Sequence, residues 1–496
     1  MSVDYTAIEY TPFEERLRNC FGNMLVYKSS KKPDFFTGKT MPSFIRDWLV
    51  MRFSDENGQV DNAKAAEYVR RTIPGKEQWN SLMLDMLHGN KAAKFLAKIK
   101  IEFDTKRRQA LFSLPEFGVP AHKGDAVVDW DLLEKHRDEL LSASETWGII
   151  TLRCEFDESG KNSILKLIDF KPFCPYKIDL DYYVRARDFF TIEEWIDILL
   201  GAADYNAGGY RTSGEKLAML KRLIPFVEKR VNLIELAPKE TGKSYLFSQI
   251  SQYGWLVSGG SVSRAKMFYD IGKRVNGLVS RCDYVALDEI QSIKFTEPME
   301  MLGALKGYLE SGEYCVGDYR GAGDAGMILL GNIFTSQMDT SADMFSNLPP
   351  VFRDSALLDR FHGFIKGWDI PKMRENLKAE GWALNTEYFV EILHSMRAQT
   401  AYRAVVDKVL KLPPDAATRD TEAVKRLCTA FLKLLFPNAT DVDRLNLDEF
   451  QEYCLEPALE MRGIIKKQLG IIDPGEFGGT TVPGITVKVP EPDDEA

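Results

Sequence analysis

The chain predicts an α/β fold: a parallel sheet with helices on both faces, organised around a phosphate-binding loop. Three observations carry this. Ala237-Pro238-Lys239-Glu240-Thr241-Gly242-Lys243-Ser244 follows the apolar run 231–236 and opens a segment with helical spacing at Tyr245, Phe247 and Ile250, the strand–loop–helix context that such a loop needs. Leu287-Asp288-Glu289 ends a second apolar run. Between them and beyond, strand and helix periodicities alternate, which implies parallel strands joined by crossover helices.

In order along the chain, helices are expected at 43–53, 62–71 and 76–98, the last from the spacing of Trp79, Leu82, Leu84, Met86 and Leu87. Strand pairs are expected at 97–103 with 109–114 and at 147–156 with 163–170, the latter from the period-two alternation of Ile150, Leu152, Cys154 and Phe156. Thr191 and Glu194 form a capping box that starts a helix to about Ala202. The core then reads as strand 231–236, helix 243–253, strand 254–258, helix 262–274, strand 283–288, helix 297–310, and strands 327–331 and 361–366. Residues 372–470 read as all-helical, and the Pro/Gly-rich end, acidic at its close, as disordered. The expected domains are 1–205 (α+β), 206–371 (nucleotide core), 372–475 (helical lid) and 476–496 (tail).

Of the 496 residues, 45% are hydrophobic and 28% charged, the balance of a globular protein. No apolar run approaches the length of a transmembrane helix, and the first 18 residues lack the apolar segment of a secretory signal. The seven cysteines are scattered without a C-x-x-C pair, and the five histidines lie far apart, so neither a disulfide framework nor a zinc site is expected. A cytoplasmic location with no membrane association follows as an expectation. The net charge of −9 argues against nucleic-acid binding by the whole surface and leaves it to a local basic patch.

The chemistry concentrates in a few residues. The loop from Pro238 to Tyr245 would cradle phosphates through the backbone N–H groups around Gly242, Lys243 would reach the β- and γ-phosphates, and Ser244 with Asp288 would hold Mg²⁺. Glu289 is placed to polarise a water, which together means hydrolysis of a nucleoside triphosphate, ATP in the first instance. Ala237 departs from the usual GxxxxGK[ST] pattern, where glycine stands. Asn332, ending the strand 327–331, takes the sensor-1 position of AAA+ ATPases and would orient the water. Arg360 in Leu357-Leu358-Asp359-Arg360-Phe361 takes the place of a finger acting on a neighbouring subunit, with a surface pair to Asp359 as the plain alternative. A helical lid should supply a sensor-2 arginine, Arg397 or Arg403. A hairpin before sensor 1 brings Lys306, Tyr308 and Arg320 forward as pore contacts, a solvated hairpin being the equal alternative. Lys91, Lys94, Lys98, Lys100, Lys106, Arg107 and Arg108, running from helix into strand turn, form the best local patch for phosphate contacts.

A longer series of segments is similar to one family. Leu223-Ile224-Pro225-Phe226-Val227-Glu228, Asn232 to Pro238, Thr241 to Tyr245, Val257 to Gly260, Gly277-Leu278-Val279, Val285 to Glu289, Gly331-Asn332-Ile333, Leu357 to Gly363 and Gly367 to Pro371 closely resemble the BrxL family, the Lon-related AAA+ proteins of bacterial BREX phage-defence systems. The resemblance implies an ATP-driven hexameric ring that engages double-stranded DNA, with an architecture similar to MCM helicases. Long members carry a C-terminal Lon-type protease domain; no proteolysis is expected from this chain. Two other readings stay open: a protein-remodelling ATPase that threads polypeptide, and an ATP-gated DNA scaffold with incidental hydrolysis.

Overall fold

The structure, a computed structural model, describes residues 10–29, 34–36, 41–89, 91–104, 108–120, 125–142, 145–156 and 162–488. It divides into two compact units. One comprises Met1–Ser30, Ile178–Ile271 and Asn276–Ala496; the other comprises Lys31–Lys177 and Gly272–Val275. The boundary expected at 205 therefore moves to 177/178, and the first 30 residues join the larger unit. Packing explains the shift. The helix Ile192–Ala202, capped by Thr191 and Glu194 as expected, buries Trp195, Ile196 and Leu199. The Trp195 indole donates to the carbonyl of Leu434 at 3.0 Å, and strand Leu25–Lys28 pairs antiparallel with Gly381–Leu384.

In the smaller unit, helices Ser43–Phe53, Asn62–Thr72 and Trp79–Gly89 precede a closed five-stranded barrel. Its strands are β1 (Ala93–Asp104), β2 (Gln109–Ser113), β3 (Ala126–Val128), β4 (Thr146–Phe156) and β5 (Ser163–Pro172), in the order β1-β2-β3-β5-β4. β1 is 12 residues long, so its first half pairs with β4 and its second half with β2. The short β3 pairs parallel with β5, and the helices Trp130–Lys135 and Arg137–Ser142 bridge β3 to β4. This is the Greek-key topology of an OB-fold. At Gly148 a Cβ would lie 2.3 Å from the Phe170 ring, so glycine there lets β5 cross closely over β4. The helix expected over 76–98 ends at Gly89, because Phe95, Ala97, Ile99 and Ile101 alternate with period two and bury into the barrel.

The larger unit holds a parallel sheet of β6 (Leu233–Ala237), β7 (Gly254–Ser258), β8 (Tyr284–Asp288), β9 (Gly326–Asn332) and β10 (Gly363–Lys366), in the order β10-β6-β9-β8-β7. All five expected strands are present within about two residues of their limits, and β6 and β8 are buried throughout. β9 lies between β6 and β8 with Asn332 in register with Ala237, so the carboxyl ends carrying Ala237, Asn332 and Asp288 share one edge. The helix expected at 262–274 is only the turn Arg264–Met267, followed by short strands at Tyr269–Asp270 and Val275–Asn276; Arg274 has a φ of 56°, a turn conformation that ends any helix.

After β10 come the helices Thr386–Met396, Ala401–Val409, Thr418–Leu435 and Glu456–Ile472, as expected, interrupted by strands Gly381–Leu384 and Leu410–Lys411. The tail expected to be disordered from 476 is ordered to residue 488. Phe477 and Ile485 bury, and Thr486–Val487 pairs with Leu410–Lys411. Residues 489–496 of that expected tail lie outside the described residues. Among the described residues no helix is long and apolar enough to cross a membrane.

Candidate functional site

The β6-to-helix turn shapes the phosphate loop. Gly242 has a φ of 75° and caps the helix Lys243–Gln249. Glu240 also takes a positive φ, 70°, with its carbonyl held by the Met373 N–H at 2.7 Å, and its side chain is exposed like that of Lys239. Ala237, in contrast, stays in strand conformation at the end of β6, so the departure from glycine costs no backbone strain. Room for its methyl comes from Gly367: a Cβ there would lie 2.2 Å from the Ala237 Cβ and 2.8 Å from the Leu236 carbonyl oxygen. The Gly367→Ala change is therefore expected to destabilise the larger unit by about 1–3 kcal/mol, read from urea denaturation. Adding Ala237→Gly should recover part of the loss; a Gly367→Ala protein as stable as wild type would contradict this packing.

The residues expected to act on phosphate and metal converge. The Lys243 ammonium donates to Asn332 Oδ1 at 2.8 Å, and the Ser244 hydroxyl donates to Asp288 Oδ2 at 2.5 Å. Burial holds the Lys243 pKa below the ordinary lysine value, opposed by Glu235, Asp288 and Glu289. Glu289 follows β8 with a φ of 49°, its N–H bonded to Asp288 Oδ1 at 2.9 Å and its side chain exposed. A non-glycine residue held there by its surroundings is a strained position of the kind found at reacting centres. Tyr245 is exposed, and its hydroxyl donates to Asp204 at 2.7 Å.

Ser244 and Asp288 fit a Mg²⁺ ion. That ion keeps most of its waters and takes one or two protein oxygens together with substrate phosphates, and the described residues offer no cluster of three or more His, Cys, Asp or Glu that would make a full cage.

Other expected residues sit elsewhere. The Arg360 guanidinium pairs with Glu310 at 2.7 Å, not with Asp359, which pairs with Arg462 at 2.6 Å. Arg360 precedes β10, at the strand-start edge of the sheet, opposite its own phosphate loop. Arg397 is at that edge too: it donates to the carbonyls of Pro225 at 2.6 Å and Asp324 at 2.7 Å and pairs with Asp283 at 3.2 Å. The length of β8, roughly 15 Å, separates Asp283 from the site, and Arg403 is spent on Asp407 and Glu422. Neither expected sensor-2 residue faces the loop of its own chain.

Two of the three expected pore contacts are occupied as well. The Lys306 ammonium pairs with Asp354 at 2.9 Å. Tyr308 is 2% exposed and donates to the Ala325 carbonyl. Arg320 is exposed on the antiparallel hairpin Glu313–Val316 and Tyr319–Ala322. In the barrel unit, Lys94, Lys98 and Lys100 lie on β1, not on a helix. Lys98 pairs with Glu145 at 2.8 Å and Lys100 with Glu102 at 2.5 Å. Lys91, Lys94 and Arg108 are exposed; Lys106 and Arg107 lie outside the described residues.

Sequence reasoning missed three neighbours of the loop. Gln291 donates to the Asn332 carbonyl at 2.8 Å. Arg222 and Glu235, both fully buried, pair in a two-pronged contact, and Arg222 also donates to the Thr241 carbonyl at 2.7 Å. The available signal was Glu235 itself, a carboxylate in the middle of an apolar strand, which must find a cation.

Comparison with known proteins matches both units. A family profile for the ATPase domain of Lon-like protease BrxL-like proteins covers residues 165–482, and one for the N-terminal domain of the BREX system Lon protease-like protein BrxL covers 19–154. The Lon-like protease BrxL of Escherichia coli O9:H4 (strain HS) is 30% identical over 488 residues, covering 96% of this chain and 67% of its own length. The Lon-like protease BrxL of Bacillus cereus (strain H3081.97) is 33% identical over 347 residues, covering 69% of this chain and 50% of its own length.

Proposed function

The chain belongs to the BrxL family, and from that premise we propose that it is a Mg²⁺-dependent ATP hydrolase that assembles into a hexameric ring and engages double-stranded DNA in bacterial antiphage defence. The observation that carries hydrolysis is the single sheet edge where Lys243 meets Asn332 and Ser244 meets Asp288, with Glu289 exposed beside them. Lys243 and the loop amides bind the β- and γ-phosphates. Ser244 and Asp288 would hold Mg²⁺, which supplies charge neutralisation on the phosphate oxygens. Asn332 orients the attacking water, and Glu289 takes its proton.

The position of Arg360 supports a shared site. It lies across the sheet from its own loop, so only a neighbouring copy can present its phosphates to it, and Glu310 must release it. The OB-type barrel supports nucleic-acid engagement, since that barrel is a recurrent oligonucleotide-binding scaffold. Of the expected basic residues, Lys91 and Lys94 at the start of β1, Arg108 beyond its far end, and Arg320 on the hairpin of the larger unit are exposed and so open to phosphate contacts. The polypeptide-threading alternative needs exposed aromatic residues on a pore loop, but Tyr308 and Tyr314 are 2% and 3% exposed, and Tyr319 stacks on Tyr269 with ring centroids 3.5 Å apart.

The test is the ATPase rate and particle mass of the purified chain with and without duplex DNA at about 0.15 M salt. A hexamer-sized particle whose rate changes with duplex, less so as salt rises, is the expected result. A monomer indifferent to duplex would overturn the ring and the DNA assignment, and stimulation by unfolded protein alone would favour the threading reading.

A further inference from the structure

We propose that Arg222 is a positioning residue for the phosphate loop, holding the Thr241–Gly242 peptide turned so that the Gly242 N–H faces the bound phosphates; this rests on the ATP reading above. Arg222 lies in the short 3₁₀ turn Lys221–Leu223, upstream of the helix Ile224–Val227 and β6, is 0% exposed, and divides its guanidinium among Glu235, Thr241 and the Met219 sulfur, which Nη1 meets at 3.3 Å. Its Nε and Nη2 grip the two oxygens of Glu235 at 2.9 and 2.5 Å. Its Nη1 donates to the Thr241 carbonyl at 2.7 Å, and Nη2 also reaches the Thr241 hydroxyl at 3.2 Å.

The consequence follows from peptide geometry. In a planar trans peptide the C=O and N–H point in opposite directions. Fixing the Thr241 carbonyl toward Arg222 therefore aims the Gly242 N–H the other way, toward the concave side of the loop. Gly242, at a φ of 75°, lacks the Cβ that would restrict it, so without this bond the peptide could turn to other orientations. Glu235 sits on β6 two residues before the loop, so it ties the guanidinium to the rigid sheet and cancels its charge. The cationic character seen by the phosphates is thereby left to Lys243, and Arg222 contributes orientation. A guanidinium suits this because its rigid planar fork takes both oxygens of the carboxylate while a further nitrogen reaches the carbonyl, a spread of donors that the single nitrogen of a lysine does not offer.

Removing Arg222 alone would strand a buried carboxylate and endanger the fold, so the decisive variant removes both charges: Arg222→Met with Glu235→Leu. The measurement is the affinity of the full chain for a fluorescent ATP analogue with Mg²⁺, alongside the thermal midpoint without nucleotide. The expected result is a midpoint near wild type with affinity weakened roughly tenfold or more, the loss expected when one loop donor is no longer held in place. Arg222→Lys, which keeps the charge opposite Glu235, should also bind roughly tenfold more weakly, and it serves where the double variant does not fold. In either variant the KM for ATP should rise more than kcat falls. Wild-type affinity in the folded double variant, or in Arg222→Lys, overturns the assignment. A wild-type chain that binds no nucleotide overturns the ATP reading on which it rests.

Discussion

Replacing Glu289 with Gln is expected to lower steady-state ATP hydrolysis by about 10²–10⁴-fold, the usual contribution of a general base, while nucleotide affinity stays near that of wild type. Glu289 follows β8 directly with its side chain exposed at the site edge; its backbone N–H donates to Asp288 Oδ1 and its carbonyl accepts from the Ser292 hydroxyl. Gln preserves the shape, the φ of 49° and those backbone bonds, but its amide cannot accept a proton from water. Lys243, Ser244 and Asp288 are untouched, so binding and assembly should persist. Phosphate release and binding of a fluorescent ATP analogue, measured on the same preparation, separate the two effects. Undiminished turnover would remove Glu289 from the mechanism, and lost binding would recast it as a structural residue of the loop.

The second large effect concerns stability. Arg462, on the helix Glu456–Ile472, is 0% exposed and pairs with Asp359 at 2.6 Å and Asp420 at 2.6 Å. It also donates to the backbone carbonyls of Asp359 and Phe361 at 2.9 and 2.7 Å. Arg462→Ala leaves two buried carboxylates with only Arg419 and Lys466 to answer them, so a loss of about 3–5 kcal/mol is expected. Chemical denaturation followed by tryptophan fluorescence reads it; a change below about 1 kcal/mol would show that neighbouring cations or water replace the guanidinium. The same variant should loosen the turn carrying Arg360, since both carbonyls that flank Arg360 are held by Arg462.

Much of the candidate site was legible because its residues sit where strands end. A phosphate loop needs a buried strand, a glycine that takes a positive φ and a helix start, and each leaves a local mark at 231–250. Asp288 and Asn332 were legible for the same reason, since an apolar run closing on a polar residue announces a strand's exposed end. The partners of Arg360, Arg397 and Lys306 were not. Each is a long side chain, and whether its charge faces a ligand or a carboxylate depends on elements brought near it by the fold. The barrel was legible as two strand pairs only. Its closure depends on β3, three residues too short to carry a period, and on β1, whose beginning was absorbed into a helix because Trp79 to Leu87 set a helical rhythm just before it.

The amino-acid sequence by itself pointed to nucleotide chemistry and to the parallel order of strand and helix, because these rest on local backbone preferences and on short apolar periods, and to the family, through the resemblance of whole segments. Only the tertiary structure decided that Ala237 is tolerated because Gly367 yields its space, that the buried Arg222 pairs with Glu235 and bonds the Thr241 carbonyl, and that Arg360 pairs with Glu310 at the sheet edge opposite its own loop. Those outcomes are close approaches and ion pairs between residues far apart in the chain, and their energies exist only once the sheet has set which strand ends lie side by side.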